Sequence, residues 1–229
     1  TNDQAALARN LPRLLSHPSV EVRLEALTRL ARLDASAPTA LGENPTLTAI
    51  YACWQHDPDP AVRSAALQTV ATLGGAAYLD QVYDCLTSPD VQMRRSAMIG
   101  FLRSGELEAI LATGEHLTRL VNAAAPAERS LAAQILGESG VAGLYRPLLA
   151  MLNDSDLGVQ RAAIQAAGKL QHPKLWPALL VALAAPPTRA AARAALMASG
   201  EALLPMLQSL LDDSTALDTL ALPRTPQLQ

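Results

Sequence analysis

A short pattern recurs six times along these 229 residues and restricts what they can fold into. Its clear copies are Val22-Arg23 with Ala26-Leu27, Val62-Arg63 with Ala66-Leu67, and Met93-Arg94 with Ala97-Met98. Val159-Gln160 with Ala163-Ile164 keeps everything but the arginine, while Glu128-Arg129 with Ala132-Ala133 and Thr188-Arg189 with Ala192-Arg193 are degenerate. The arginine register falls at 23, 63, 94, 129, 160 and 189, in steps of 40, 31, 35, 31 and 29 residues. Eleven residues after it stand Asp34, Gly74, Gly105, Gly140, Gln171 and Gly200. A unit of that length cannot bury its apolar face alone. It stacks on its neighbours, and a row of such units is a solenoid.

Each unit reads as helix A, a tight turn and helix B. Apolar residues lie one before the register and three, four and seven after it, as in Val62, Ala66, Leu67 and Val70. That spacing is one face of an amphipathic helix. Leu30, Phe101, Leu136 and Leu196 fill the plus-seven slot elsewhere. The turns are short and polar, among them Ser16-His17-Pro18-Ser19, Asp57-Pro58-Asp59-Pro60, Ser88-Pro89-Asp90 and Asp154-Ser155-Asp156. Ser and Asp accept hydrogen bonds from the free amides of a helix start, and Pro is tolerated in the first turn. Ser19, Asp59, Asp90 and Asp156 are therefore the expected caps of the B helices. Glycine at the far end supplies the left-handed residue that stops them.

The predicted pairs are 5–15 with 20–33, 47–55 with 61–73, 77–86 with 91–102, 106–121 with 126–137, 144–152 with 157–170, and 175–183 with 188–197. Residues 202–211 open a seventh. The expected fold class is all-α, a right-handed α-solenoid of six to seven helix pairs over residues 1–211. Residues 212–229 are expected to be a frayed tail or a truncated further repeat. The long 34–44 connection and the degenerate fourth unit are the predicted weak points.

Half of the residues are hydrophobic, the bulk of them Ala and Leu, strong helix formers, and only 3% of the chain is aromatic. The net charge of −3 argues against nucleic-acid binding, which goes with a basic excess. Cys53 and Cys85 stand about one repeat apart and not at metal-ligand spacing, so both are expected to be buried thiols in a reducing compartment. The histidines His17, His56, His116 and His172 share no spacing, and no metal site is expected. No stretch approaches the ~18 apolar residues of a membrane span. The opening Thr-Asn-Asp-Gln, without Met or an apolar leader, suggests a segment of a longer protein.

The pattern D-x-x-V-R-x-x-A-L, cleanest at Asp59-Pro60-Ala61-Val62-Arg63-Ser64-Ala65-Ala66-Leu67, resembles HEAT repeats over roughly residues 5–211. The units are shorter than the ~40–47 residues of long HEAT or armadillo repeats. They look more like the short repeats of the phycobilin lyase group and of bacterial multidomain proteins. A narrower stretch, Thr188–Leu196 followed by Gly200–Pro205, is similar to HEAT repeats attached to bacterial transporters of the ADP/ATP-translocase-like group. Resemblance to HEAT proteins implies inter-repeat bonding between turn Asp and helix Arg. It assigns Asp59, Arg63, Asp90, Arg94 and Arg129 to a structural ladder, with Asp59–Arg63 and Asp90–Arg94 at i,i+4 and the acid first. Ligand binding is the sharper alternative for Arg23, Arg63, Arg94 and Arg129.

Two further surfaces are candidates. In HEAT-like solenoids B helices usually line the concave side. The row one, five and nine residues after the register is then exposed there, and Arg95, Arg103, Arg161 and Lys169 make a positive patch. Such a patch suits an acidic helix or a phosphate-bearing group, against the plainer reading of a solvated face. The second is the aromatic set Tyr51, Trp54, Tyr78 and Tyr83 of the A helices, read either as interface anchors or as core fillers. Trp176 is expected to be buried.

These readings lead to a non-catalytic protein-binding scaffold or regulatory module, part of a larger cytoplasmic protein of bacterial type. No cofactor is expected. The partner would be another protein or a neighbouring domain, not nucleic acid, and this segment would not enter a membrane, although a fused transmembrane domain could hold it there. The alternatives are the soluble domain of an ADP/ATP-translocase-like transporter, a phycobilin-lyase-like chromophore chaperone or enzyme, and a DNA-glycosylase-like nucleic-acid binder.

Overall fold

The computed structural model describes residues 10–31, 45–73 and 79–212. These residues form an all-α solenoid of helix pairs, with no strand among them. Helix A of the first pair, α1, is described from residue 10 to 15. The B helices are α2 (Val20–Leu30), α4 (Pro60–Leu73), α6 (Val91–Ser104), α8 (Pro126–Ser139), α10 (Leu157–Leu170) and α12 (Arg189–Ala198). The A helices are α3 (Pro45–His56), α5 (Leu79–Cys85), α7 (Leu107–Val121), α9 (Tyr145–Met151), α11 (Trp176–Ala184) and α13 (Leu204–Asp212). Two compact units divide the chain, Thr1–His116 and Leu117–Gln229. In the first, α2 packs on α4 and α4 on α6, with α3 along α4. In the second, α8 packs on α10 and α10 on α12, with α9 against α8 and α10 and α11 against α12.

The apolar stripe of the B helices is the core. Val62, Ala66, Leu67 and Val70 are fully buried, as are Val159, Ala163 and Ile164, and Leu30, Phe101, Leu136 and Leu196 are buried in the plus-seven slot. Four of the B helices, α2, α4, α6 and α10, begin on a side-chain cap. Ser19 accepts from the Val22 amide, Asp59 from those of Ala61 and Val62, Asp90 from that of Gln92, and Asp156 from those of Gly158 and Val159. Gly105 (φ 76°) and Gly140 (φ 69°) stop α6 and α8 in the left-handed region. Gln171 does the same for α10 at φ 51°, without glycine's freedom. Its side-chain amide donates to the Ala198 carbonyl of the next repeat (2.5 Å), which holds it there.

Three A helices start differently from the expectation. The segments predicted to begin at 144, 175 and 202 open with 3₁₀ turns, Ala142–Leu144, Pro173–Leu175 and Gly200–Leu203. The α-helix follows one residue later, and Pro147, Pro177 and Pro205 fall in its first turn. Proline lacks the amide that the first turn leaves unbonded, so it fits there. The expected caps and stops at Asp34 and Gly74, the 34–44 connection and the tail beyond Asp212 lie outside the described residues.

Candidate functional site

The register side chains build one geometry repeatedly. Arg23 Nη1 donates to the carbonyls of His17 (2.7 Å) and Pro18 (3.1 Å). Arg63 does so to Asp57 (2.8 Å) and Pro58 (3.1 Å), and Arg94 to Ser88 (2.7 Å) and Pro89 (3.3 Å). Arg129 holds Ala123 and Ala124 (both 2.9 Å), Arg189 holds Leu183 and Ala184, and Gln160 keeps one bond, to the Asp154 carbonyl (2.7 Å). The acceptors are six and, for the arginines, also five residues back, where the A–B turn leaves carbonyls unpaired. The turn's first side chain helps. His17 Nδ1, Asp57 Oδ1, Ser88 Oγ and Asp154 Oδ1 each accept the amide two residues on.

Two of these arginines also reach an acid of the next repeat. Arg23 meets Asp57 through Nε (2.9 Å) and Nη2 (3.0 Å), and both side chains are under a tenth exposed, at 8% and 6%. Arg129 meets Asp154 through Nε (2.7 Å) and Nη2 (2.8 Å). The acids that pair are thus at the turn's first position. Asp59 and Asp90, placed in the ladder from sequence, bond helix amides, and Arg63 and Arg94 bond turn carbonyls. The physical reason is sequence-local: the turn that follows Arg63 starts with Ser88, and the one that follows Arg94 starts with Ala123.

The Arg129 guanidinium holds the Asp154 carboxyl below its usual value of 3.8. A depressed carboxyl contributes stability that is complete above its unfolded pKa and fades as pH falls through the folded one. The second unit should therefore lose stability as pH drops below about 4, and the Asp154→Asn variant should lose less over the same interval. Urea midpoints from pH 6 down to pH 2 check this, and equal slopes for both chains would refute it.

The candidate patch falls in two places. Arg95 and Arg103 belong to the first unit, where Arg95 is half-buried with Nη1 on Gln92 Oε1 (3.2 Å) and Arg103 is exposed. The row they sit in also contains Thr72 and Ile99, which are buried rather than exposed. Arg161 and Lys169 are exposed in the second unit. Arg161 donates to the Pro187 carbonyl through Nε (3.1 Å) and Nη2 (3.0 Å), and Lys169 bridges to Glu138 of the preceding B helix (2.9 Å). In the aromatic set, Trp54 is buried edge-on to half-buried Tyr51, at 5.3 Å between centroids, and Tyr83 leans on Phe101 at 5.1 Å. Tyr78 lies outside the described residues. Trp176 is buried, with Nε1 on Ser199 Oγ (3.1 Å).

Cys53 and Cys85 are half-buried free thiols. Burial pushes Cys85 up to about 11, and burial with the Asp57 carboxylate pushes Cys53 up as well. Thiolate is the reactive form. Both cysteines should therefore react slowly with an aromatic disulfide reagent at pH 8 and promptly once the chain is unfolded; a fast native-state phase would refute this.

One cluster carried no sequence signal. Tyr145, at the start of α9, stacks on His172 at 4.2 Å and 8°. Its hydroxyl accepts from Lys174 Nζ (3.1 Å) and Arg146 Nε (3.5 Å), and Lys174 Nζ stands 5.2 Å from the ring centroid. His172 Nδ1 accepts the Lys174 amide (3.2 Å). Tyr145 and Arg146 open helix α9, His172 and Lys174 lie in the 3₁₀ turn that starts the next repeat, and chain spacing alone gives no reason to group them.

Stacked helix pairs whose turns are bound by a register side chain define a helical-repeat protein. The chain belongs to the HEAT-repeat family, whose profile matches residues 7–103 and 115–200. No curated protein sequence matches it. Among solved structures it is similar to the complex of CpcE and CpcF of phycocyanin lyase from Nostoc sp. PCC7120, at 20% identity over 84% of this chain and 77% of that one, with a TM-score of 0.46. An engineered protein (20% identity, 84% and 96% covered, TM-score 0.38) and human deoxyhypusine hydroxylase in complex with glycerol (14%, 84% and 84%, 0.38) are similar too. At such TM-scores nothing of those proteins' chemistry carries over. Among the described residues, no helix is long and apolar enough to cross a membrane.

Proposed function

We propose that this chain is a non-catalytic protein-binding scaffold or regulatory module. The observation that supports this most is the exposed row of the second unit. Gln134, Arg161, Gln165 and Lys169 are exposed on helices α8 and α10, and the Lys169–Glu138 bridge ties one helix to the other. The register residues hold turns, whereas this row presents side chains from adjacent stacked repeats to a partner. Arg161 and Lys169 outweigh Glu138 in this row, and the net positive charge favours an acidic partner surface. Arg95 and Arg103 extend the proposal to the first unit.

Affinity capture from a native lysate tests it, with a second bait carrying Arg95, Arg103, Arg161 and Lys169 each changed to Glu. The expected result is a protein that binds the first bait, fails on the second, and repeats both behaviours when purified. A partner that binds both baits equally would remove the row from the interface and leave the Tyr51–Tyr83 side. Absence of any partner in purified and lysate experiments would count against protein binding itself.

A further inference from the structure

The Tyr145 cluster brings two cations to one neutral oxygen. Lys174 and Arg146 both donate to the same phenol hydroxyl. Neither has a carboxylate within ion-pair distance among the described residues. Like charges held this close repel, and an anion between them converts that repulsion into two charge-assisted hydrogen bonds. The arrangement is rigid for a surface site. Tyr145 is clamped by the His172 stack, and His172 is fixed in turn because its Nδ1 accepts the Lys174 amide. With Nδ1 as acceptor, the neutral ring carries its proton on Nε2, which is then a donor. The remaining donors are the Lys174 ammonium, the Arg146 Nη groups, the Tyr145 O–H and His172 Nε2–H.

We propose that Tyr145, Arg146, His172 and Lys174 form a receptor for a carboxylate side chain on an acidic segment of a protein partner. The proposal rests on the protein-binding reading and adds to it a site and a ligand chemistry. Arg146 supplies a planar fork suited to two carboxylate oxygens, and Lys174 a point charge at its side. Tyr145 positions both. The two cations also hold the Tyr145 hydroxyl below its ordinary range, Arg146 first and Lys174 second. A bound anion would relieve that hold, so the Tyr145 titration is a spectroscopic readout of occupancy.

The test uses the whole chain and a capped, fluorescent hexaglutamate peptide, with hexaglutamine as its uncharged counterpart. Hexaglutamate should bind and hexaglutamine should not. Arg146→Gln with Lys174→Gln should weaken hexaglutamate by about tenfold or more. Arg119→Gln with Arg193→Gln removes the same charge elsewhere and should change affinity by less than about twofold. Tyr145→Phe should weaken binding while it keeps the ring stack. In the carbon-13 spectrum of the tyrosines, the Tyr145 titration midpoint should rise on saturation. Equal binding of both peptides, equal loss in both double variants, or an unmoved Tyr145 midpoint would overturn the proposal. So would inorganic phosphate binding at the cluster with no peptide binding. A partner captured in the lysate experiment that binds the Arg146/Lys174 variant unchanged would leave protein binding standing and remove only this site. Hexaglutamate binding with no captured partner would do the reverse.

Discussion

Replacing Asp57 by alanine is expected to destabilise the first unit by about 3–5 kcal/mol. The pair it belongs to is nearly closed to water, with the Arg23 side chain 8% exposed and that of Asp57 6%. Arg23 also remains anchored to the carbonyls of His17 and Pro18, so it cannot swing out when its acid is removed. The variant therefore leaves an uncompensated buried guanidinium, and the Asp59 amide loses its acceptor as well. Arg29 and Glu25 give the comparison. They pair at 2.7 Å, but their side chains are 66% and 59% exposed. Solvent screens that pair, and Glu25→Ala should change stability by under about 0.5 kcal/mol. Changing Arg23 to Met together with Asp57→Ala should recover part of the loss, because no charge is then left buried. Urea unfolding, with hydrogen exchange read at α2 and α4, measures all three. Equal effects for Asp57→Ala and Glu25→Ala would show that burial is not what makes the first pair count.

The repeat, its helix pairs and its caps were legible because each depends on residues a few positions apart. One face of a helix is a spacing, and a cap is a residue type in front of it. The partner of an arginine is not. Arg23 and Asp57 are 34 residues apart, and Arg129 and Asp154 are 25. Only stacking decides that the arginine crosses to the first residue of the next turn rather than to the cap one helical turn before itself. Once that rule is known it can be read back from sequence: an ion pair needs Arg in the register and Asp six residues before the next register. Arg63, followed by Ser88, and Gln160, followed by Leu183, do not meet both conditions. The exposed row was legible as a pattern but not as an exposure. Ile99 and Thr72 share the spacing of Gln165 and Lys169, yet they are buried, because burial on that side depends on how each unit packs. The Tyr145 cluster was illegible for a further reason. Its members come from the first residues of α9 and from the 3₁₀ turn that opens the next repeat, outside the register that the repeat pattern defines.

The second large effect should come from a single methyl group. In each described contact between B helices α4·α6, α8·α10 and α10·α12, a glycine meets an alanine: Gly100 on Ala71, Gly137 on Ala166, and Gly168 on Ala195. The alanine or glycine eight residues after one register thus packs on its counterpart six residues after the next. A Cβ on Gly137 would fall 2.5 Å from Ala166 Cα and 2.7 Å from Ala166 Cβ. Backbone cannot rotate away as a long side chain can, so α8 and α10 would have to separate. The separation would also loosen the buried stripe beside it, including Leu136 and Ile164. Gly137→Ala is expected to destabilise the second unit by about 1–3 kcal/mol, although alanine is the better helix former by about 1 kcal/mol. Gly137→Val should exceed that, since a branched side chain adds volume where the first carbon already clashes. Gly114 reverses the sign. It lies mid-helix in α7, and a Cβ there meets nothing within 4 Å. Gly114→Ala should therefore stabilise by up to about 1 kcal/mol, through propensity alone. The two alanine variants make the same chemical change in the same secondary structure, so opposite shifts in thermal midpoint would isolate helix–helix approach as the cause. Shifts of the same sign would mean that propensity dominates and that α8 and α10 have room to spare.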